Sequence, residues 1–150
     1  LVPLVVIIRS LGLANTLTAL TFTHLALGLP IAVWMGTIFV GSSLSANAVA
    51  GSPLPLKTFS STLAIAHVVE FALMAILLYR AVWAYRRPAL AWLWTAVLVL
   101  TVVYAASDEL HQSFVPGRVS SSLDLGLDAL GAVVGLALSE AVMRLWRLLR

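Results

Sequence analysis

The sequence predicts an all-α integral membrane protein, a bundle of four transmembrane helices. Three observations predict it. First, 61% of the residues are hydrophobic, only 10% are charged, and the mean hydropathy is +1.04. A soluble fold of this length needs far more polar surface over its core. Second, four stretches approach or exceed the roughly 20 apolar residues that cross a bilayer's hydrocarbon core. Third, the basic residues lie at the ends of those stretches rather than across a solvated face. That placement suits anionic lipid headgroups. It sets nucleic acid aside as a partner despite a net charge of +3 and a pI near 10.0. With no cysteine, a disulfide framework, a thiolate metal site and a thiol nucleophile are excluded.

The elements follow in order. Residues 1–24 form an apolar extension interrupted by Arg9, Asn15 and several threonines. No basic start or small-x-small cleavage site marks a signal peptide, so an interfacial or weakly inserted helix is expected there. Residues 25–150 form the four-helix domain. The first span, 25–44, carries no charge, and Gly51-Ser52-Pro53-Leu54-Pro55 reads as a loop. The second span, 60–83, contains His67 and Glu70 and is followed by Arg86, Arg87 and Pro88, the last suited to a helix start. The third runs over 89–106 and the fourth over 123–145, close to Arg144, Arg147 and Arg150.

Four spans place Arg9, Arg80, Arg86, Arg87, Arg144, Arg147 and Arg150 on one side, against Lys57 and Arg118 on the other. This bias of seven to two predicts cytoplasmic termini and an extracytoplasmic 108–118 connection.

Four of the six acidic residues fall between positions 108 and 128. Ionisable groups within a bilayer are costly unless they serve a site or pair with one another. If the third helix continues to Gln112, Tyr104, Asp108 and His111 share one face, and Glu109 and Gln112 form an i, i+3 pair. On the fourth helix Asp124, Asp128, Gly131 and Gly135 share a face. The carboxylates suit the helix N-terminus, and the Gly-x-x-x-Gly spacing admits a close neighbour. Leu136, beside that stripe, is expected to tolerate change as a surface position. His67, Glu70, Asp108, Glu109, His111, Gln112, Arg118, Asp124 and Asp128 are therefore expected to converge in one polar cavity.

Each residue also has a plainer reading. His67 and Glu70 would serve as a hydrogen-bonded tie between helices, and Asp124 and Asp128 as N-terminal dipole partners. The tryptophans read as interface anchors. Arg118 is either a counter-ion for the carboxylates or a bidentate grip on phosphate. Imidazole and carboxylates would suit zinc or manganese, but no His-Glu-x-x-His run or His-x-His pair is present. No metal or other cofactor is expected.

The run Asp-Glu-Leu-His-Gln-Ser-Phe-Val-Pro-Gly-Arg at 108–118, with Asp124-x-x-x-Asp128-x-x-Gly131-Ala-x-x-Gly135 after it, resembles the VanZ-like membrane protein family. Trp34-Met35-Gly36-Thr37-Ile38-Phe39-Val40-Gly41-Ser42-Ser43 is similar to the family's first helix, and Ala66-His67-Val68-Val69-Glu70-Phe71 to its second. Two departures stand out: Leu63 and Ala64 replace a frequent Asp-Lys, and Asp128 replaces a usual Asn. The resemblance implies a small multi-pass protein of the bacterial cell membrane. The family's name-giving member is associated with resistance to teicoplanin, a glycopeptide antibiotic.

Two functions from different classes follow. One is a non-catalytic envelope protein that contacts membrane lipids and binds a lipid headgroup, a lipid-linked wall precursor or a glycopeptide, with Arg118 as its strongest determinant. The other is a membrane enzyme acting on a lipid-linked substrate, with Glu109 or Asp128 as acid or base or with a divalent cation.

Overall fold

A computed structural model describes residues 10, 12, 17–44, 56–86 and 89–149. Four helices make up nearly all of it: α1 Leu17–Ser42, α2 Leu56–Arg86, α3 Leu90–Gln112 and α4 Ser122–Leu148. No strand occurs among the described residues. Each helix contains a stretch long and apolar enough to span a membrane: Thr23–Ser42, Leu63–Ala84, Leu90–Gln112 and Ser122–Leu148. Residues 17–23 of the expected interfacial segment are continuous with α1. Residues 2–9, the loop at 51–55, Arg87, Pro88 and Arg150 lie outside the described residues.

α2 and α4 share the most extensive interface. Its cause is the glycine pair in α4. A methyl group at Gly131 would collide with the backbone carbonyl of Val68, and one at Gly135 with that of Ala72. Only a glycine surface permits such an approach, as the Gly-x-x-x-Gly spacing predicts. Burial then extends to the neighbouring face of α4. Ala132 and Leu136 meet Leu93 and Val97 of α3 and Ala75 and Tyr79 of α2 in a fully buried cluster. Leu136 is therefore a core position and not a surface one: with α2 against its glycine face and α3 beside that, α4 has a wide buried arc.

α1 is peripheral. Its apolar side chains point mostly outward, and its own core contribution is Ile38, packed near Phe71 and Ala105. Polar bonds hold it instead. The Trp34 indole N–H donates to the Glu70 carbonyl at 2.9 Å, and the Tyr104 hydroxyl donates to the Met35 carbonyl at 2.6 Å. Trp34 thus ties two helices together in addition to any anchoring. Val33, Val69, Val99, Val103 and Val142 are all more than half exposed. On these spanning helices, lipid is the medium that covers such an apolar exterior.

Candidate functional site

The C-terminal ends of α1 and α3 meet the N-terminal half of α2 and the start of α4 at one end of the bundle. α3 continues to Gln112, so its last two turns carry Asp108, Glu109 and His111 into this end. Ser113, Phe114 and Val115 then leave the helix. Pro116 and Gly117 reverse the chain, with Gly117 at φ 79° and the Arg118 N–H donating to the Val115 carbonyl at 3.0 Å. Proline followed by a residue at positive φ suits a tight turn in which glycine carries no steric penalty. The turn sends Arg118 back across the end of α1.

Arg118 makes no direct ion pair with the carboxylates, although it shares one cavity with Glu70 and Asp108. Its Nε donates to the Leu44 carbonyl at 3.1 Å and its Nη2 to the Gly41 carbonyl at 3.3 Å. The last carbonyls of a helix lack intrahelical donors and carry the negative end of the dipole. Leu44 lies just beyond α1 and its N–H already donates to the Gly41 carbonyl at 3.2 Å, so the guanidinium chiefly complements the negative dipole end, while its remaining N–H donors stay available.

A cavity of about 180 Å³ lies behind this arginine, lined by His67, Glu70, Asp108, Gln112 and Arg118 together with Ser42. Asp108 and Gln112 are buried in its wall, where the Gln112 amide donates to Asp108 Oδ2 at 2.8 Å. Asp108 Oδ1 has no partner. Glu70 is half-buried on the same cavity.

Deeper in the bundle, His67 joins α2 to α4. Its Nδ1 lies 2.8 Å from Asp128 Oδ1. The tie expected between His67 and its neighbour Glu70 is instead made across helices to Asp128, which the α2–α4 crossing brings to the ring. Glu109 points from α3 into the same region. Its Oε2 accepts the Ser121 backbone N–H at 2.8 Å, and the Ser121 hydroxyl in turn caps α4 by accepting from the Leu123 and Asp124 N–H groups. Glu109 is 5% exposed and Asp128 1%. Asp128 Oδ2 and Glu109 Oε1 have no hydrogen-bond partner.

Five of the nine expected residues line the cavity; besides Glu109 and Asp128 behind it, His111 and Asp124 also stand apart from its wall. His111 faces α1, where its Nε2 lies 3.0 Å from the Ser43 hydroxyl and its ring stacks on Phe39 at 4.4 Å. Asp124 occupies the first turn of α4, half-buried.

One polar group went unread in the sequence. At the opposite end of the bundle, Tyr79 donates to Glu140 Oε2 at 3.0 Å and Arg144 Nε to Glu140 Oε1 at 2.9 Å. Arg147 lies 5.4 Å from the centre of the Trp83 ring. A mainly apolar cavity of about 330 Å³ opens beside them, bordered by Ile76, Tyr79, Trp83, Leu138 and Val142. The i, i+4 spacing of Glu140 and Arg144 was the available signal.

A family model described as VanZ/LLP1 matches residues 27–144. No curated protein and no solved structure matches the chain. The match spans all but the first turns of α1 and the last turn of α4, and the chain belongs to the VanZ/LLP1 family.

Proposed function

We propose that this family member binds the anionic headgroup of a lipid or lipid-linked wall precursor in the cavity behind Arg118, on the outer face of the bacterial cell membrane. The single observation that carries the reading is the guanidinium itself. It is fixed at the cavity by two carbonyls and still has donors free for phosphate. The arginine bias supports the orientation, with both termini cytoplasmic. Size supports the ligand class. About 180 Å³ holds the volume of roughly six waters, and drug-sized ligands fill about 300–1,000 Å³. A headgroup fits and a whole glycopeptide does not. Teicoplanin tolerance would then arise from holding the lipid-linked target.

The enzyme alternative draws on Glu109 or Asp128 as acid or base, and both are nearly fully buried and outside the cavity lining. The binding reading needs only the groups that line the cavity.

The test is a binding screen of the purified full chain in detergent against anionic lipids, lipid-linked wall precursors and teicoplanin. It is repeated on Arg118→Ala and Arg118→Lys. A phosphate-bearing ligand should bind the parent, lose at least tenfold in affinity with alanine and recover in part with lysine. Equal binding by all three proteins would refute the role of Arg118.

A further inference from the structure

The two unpartnered carboxylate oxygens on Glu109 and Asp128 are the least expected feature of the interior. A buried carboxylate needs a charge partner or a full set of hydrogen bonds. Among the described residues, no lysine or arginine forms an ion pair with either group; His67 is the one ion-pair partner of Asp128, through Oδ1. Arg118 is engaged with the carbonyls at the end of α1, and Arg144 with Glu140. A nitrogen of His67 and one oxygen each from Glu109 and Asp128 lie within 4.8 Å of one another. We propose that His67, Glu109 and Asp128 form a binding site for one divalent first-row transition-metal ion, zinc or manganese, between α2, α3 and α4.

Three features converge on this. The charge closes: two carboxylates and a neutral imidazole balance one dication. The geometry is near closure. Ligand atoms around an ion with bonds of about 2.0–2.2 Å stand about 3.0–3.5 Å apart. The His67 Nδ1 and Asp128 Oδ1 atoms, 2.8 Å apart as a hydrogen-bonded pair, need to open by only a few tenths of an ångström to form one edge of such an arrangement, and a Glu109 oxygen lies within 4.8 Å of both residues' ligand atoms. The supporting shell is also present. Glu109 Oε2 on the Ser121 N–H holds that carboxylate in place while Oε1 faces inward. Ligands are commonly oriented by hydrogen bonds of this kind. The imidazole favours zinc over calcium and magnesium, which prefer all-oxygen shells, and the two carboxylates also admit manganese. Three protein ligands leave coordination positions open. His67 also borders the cavity behind Arg118, so an ion here would stand next to a bound headgroup. The site does not depend on that binding, because its groups are brought together by the α2, α3 and α4 backbones.

The experiment strips the purified full chain with a chelator and adds zinc or manganese separately. Bound ion is counted by elemental mass spectrometry, and affinity is read by competition with a coloured chelator. No lipid ligand is added, so failure here is distinguishable from failure of headgroup binding. The parent should take up about one ion per chain. Glu109→Gln and Asp128→Asn should each weaken binding at least tenfold, while Glu140→Gln at the far end should not. Circular dichroism and gel filtration check that the variants fold. X-ray absorption on the loaded parent, which needs no variant, should show one imidazole in a shell of nitrogen and oxygen. Absence of stoichiometric uptake of either metal by the parent overturns the proposal. So does undiminished affinity in folded Glu109→Gln and Asp128→Asn, or a shell without imidazole.

Discussion

Gly135→Ala isolates the contact on which the α2–α4 interface is built. The substitution adds one methyl group, and that methyl would sit against the Ala72 carbonyl, inside van der Waals contact, with Ala72 Cα at 3.0 Å. The obstacle is backbone on both sides, so no side-chain rotation relieves it. α2 and α4 must separate locally by about 1 Å to restore a carbon–oxygen distance of about 3.3–3.6 Å. Overpacking of this kind costs about 1–3 kcal/mol. At about 2–4 °C per kcal/mol for a chain of this length, the thermal midpoint should fall by about 2–12 °C. Gly36→Ala is the matched control, because nothing lies within 4 Å of the added methyl in α1. There the gain in helix propensity, up to about 1 kcal/mol, should leave stability unchanged or slightly higher. The assay is thermal unfolding of both variants in one detergent, followed by tryptophan fluorescence. Equal midpoints for Gly135→Ala, Gly36→Ala and the parent would refute the close approach of α2 and α4.

Tyr79→Phe removes the hydroxyl that donates to Glu140 and leaves Arg144 in place, so a loss of about 0.5–1.5 kcal/mol is expected in the same unfolding assay. An unchanged midpoint would mean that the buried bond contributes nothing. The orientation is read by cysteines introduced singly into this cysteine-free chain. Ser113→Cys in intact cells should react with a membrane-impermeant thiol reagent, and Ala89→Cys should not. The reverse pattern would invert the topology.

Much of the fold is legible in the sequence, because length and hydropathy alone decide whether a helix spans a bilayer. The Gly131–Gly135 stripe is legible too, since removing a side chain has one structural consequence. Helical spacing also brings Tyr104 and His111 onto a common face. Both reach α1, one at Met35 and the other at Phe39, with Ser43 just past the helix end. What spacing cannot give is the choice among partners on different helices. Charge counting pairs Arg118 with carboxylates, yet its direct bonds go to the Gly41 and Leu44 carbonyls at the end of α1, because the Pro116-Gly117 turn ends beside them. His67 meets Asp128 and not Glu70, for the α2–α4 crossing sets which neighbour faces the ring. The trio of His67, Glu109 and Asp128 draws on three helices, so no local ligand motif announces it. Leu136 escapes a one-face reading because α4 buries two adjacent faces.

Whether an anionic headgroup enters the cavity is read most directly by photocrosslinking from its wall. A photoreactive phenylalanine analogue replaces Leu63, which lines the cavity, or Val99, which faces lipid. Each protein is irradiated with a radiolabelled lipid-linked wall precursor in vesicles. Capture should be strong from position 63, weak from position 99, and lost from position 63 when Arg118→Ala is added. Equal capture from both positions, or capture from position 63 that survives Arg118→Ala, would contradict a headgroup held by that arginine.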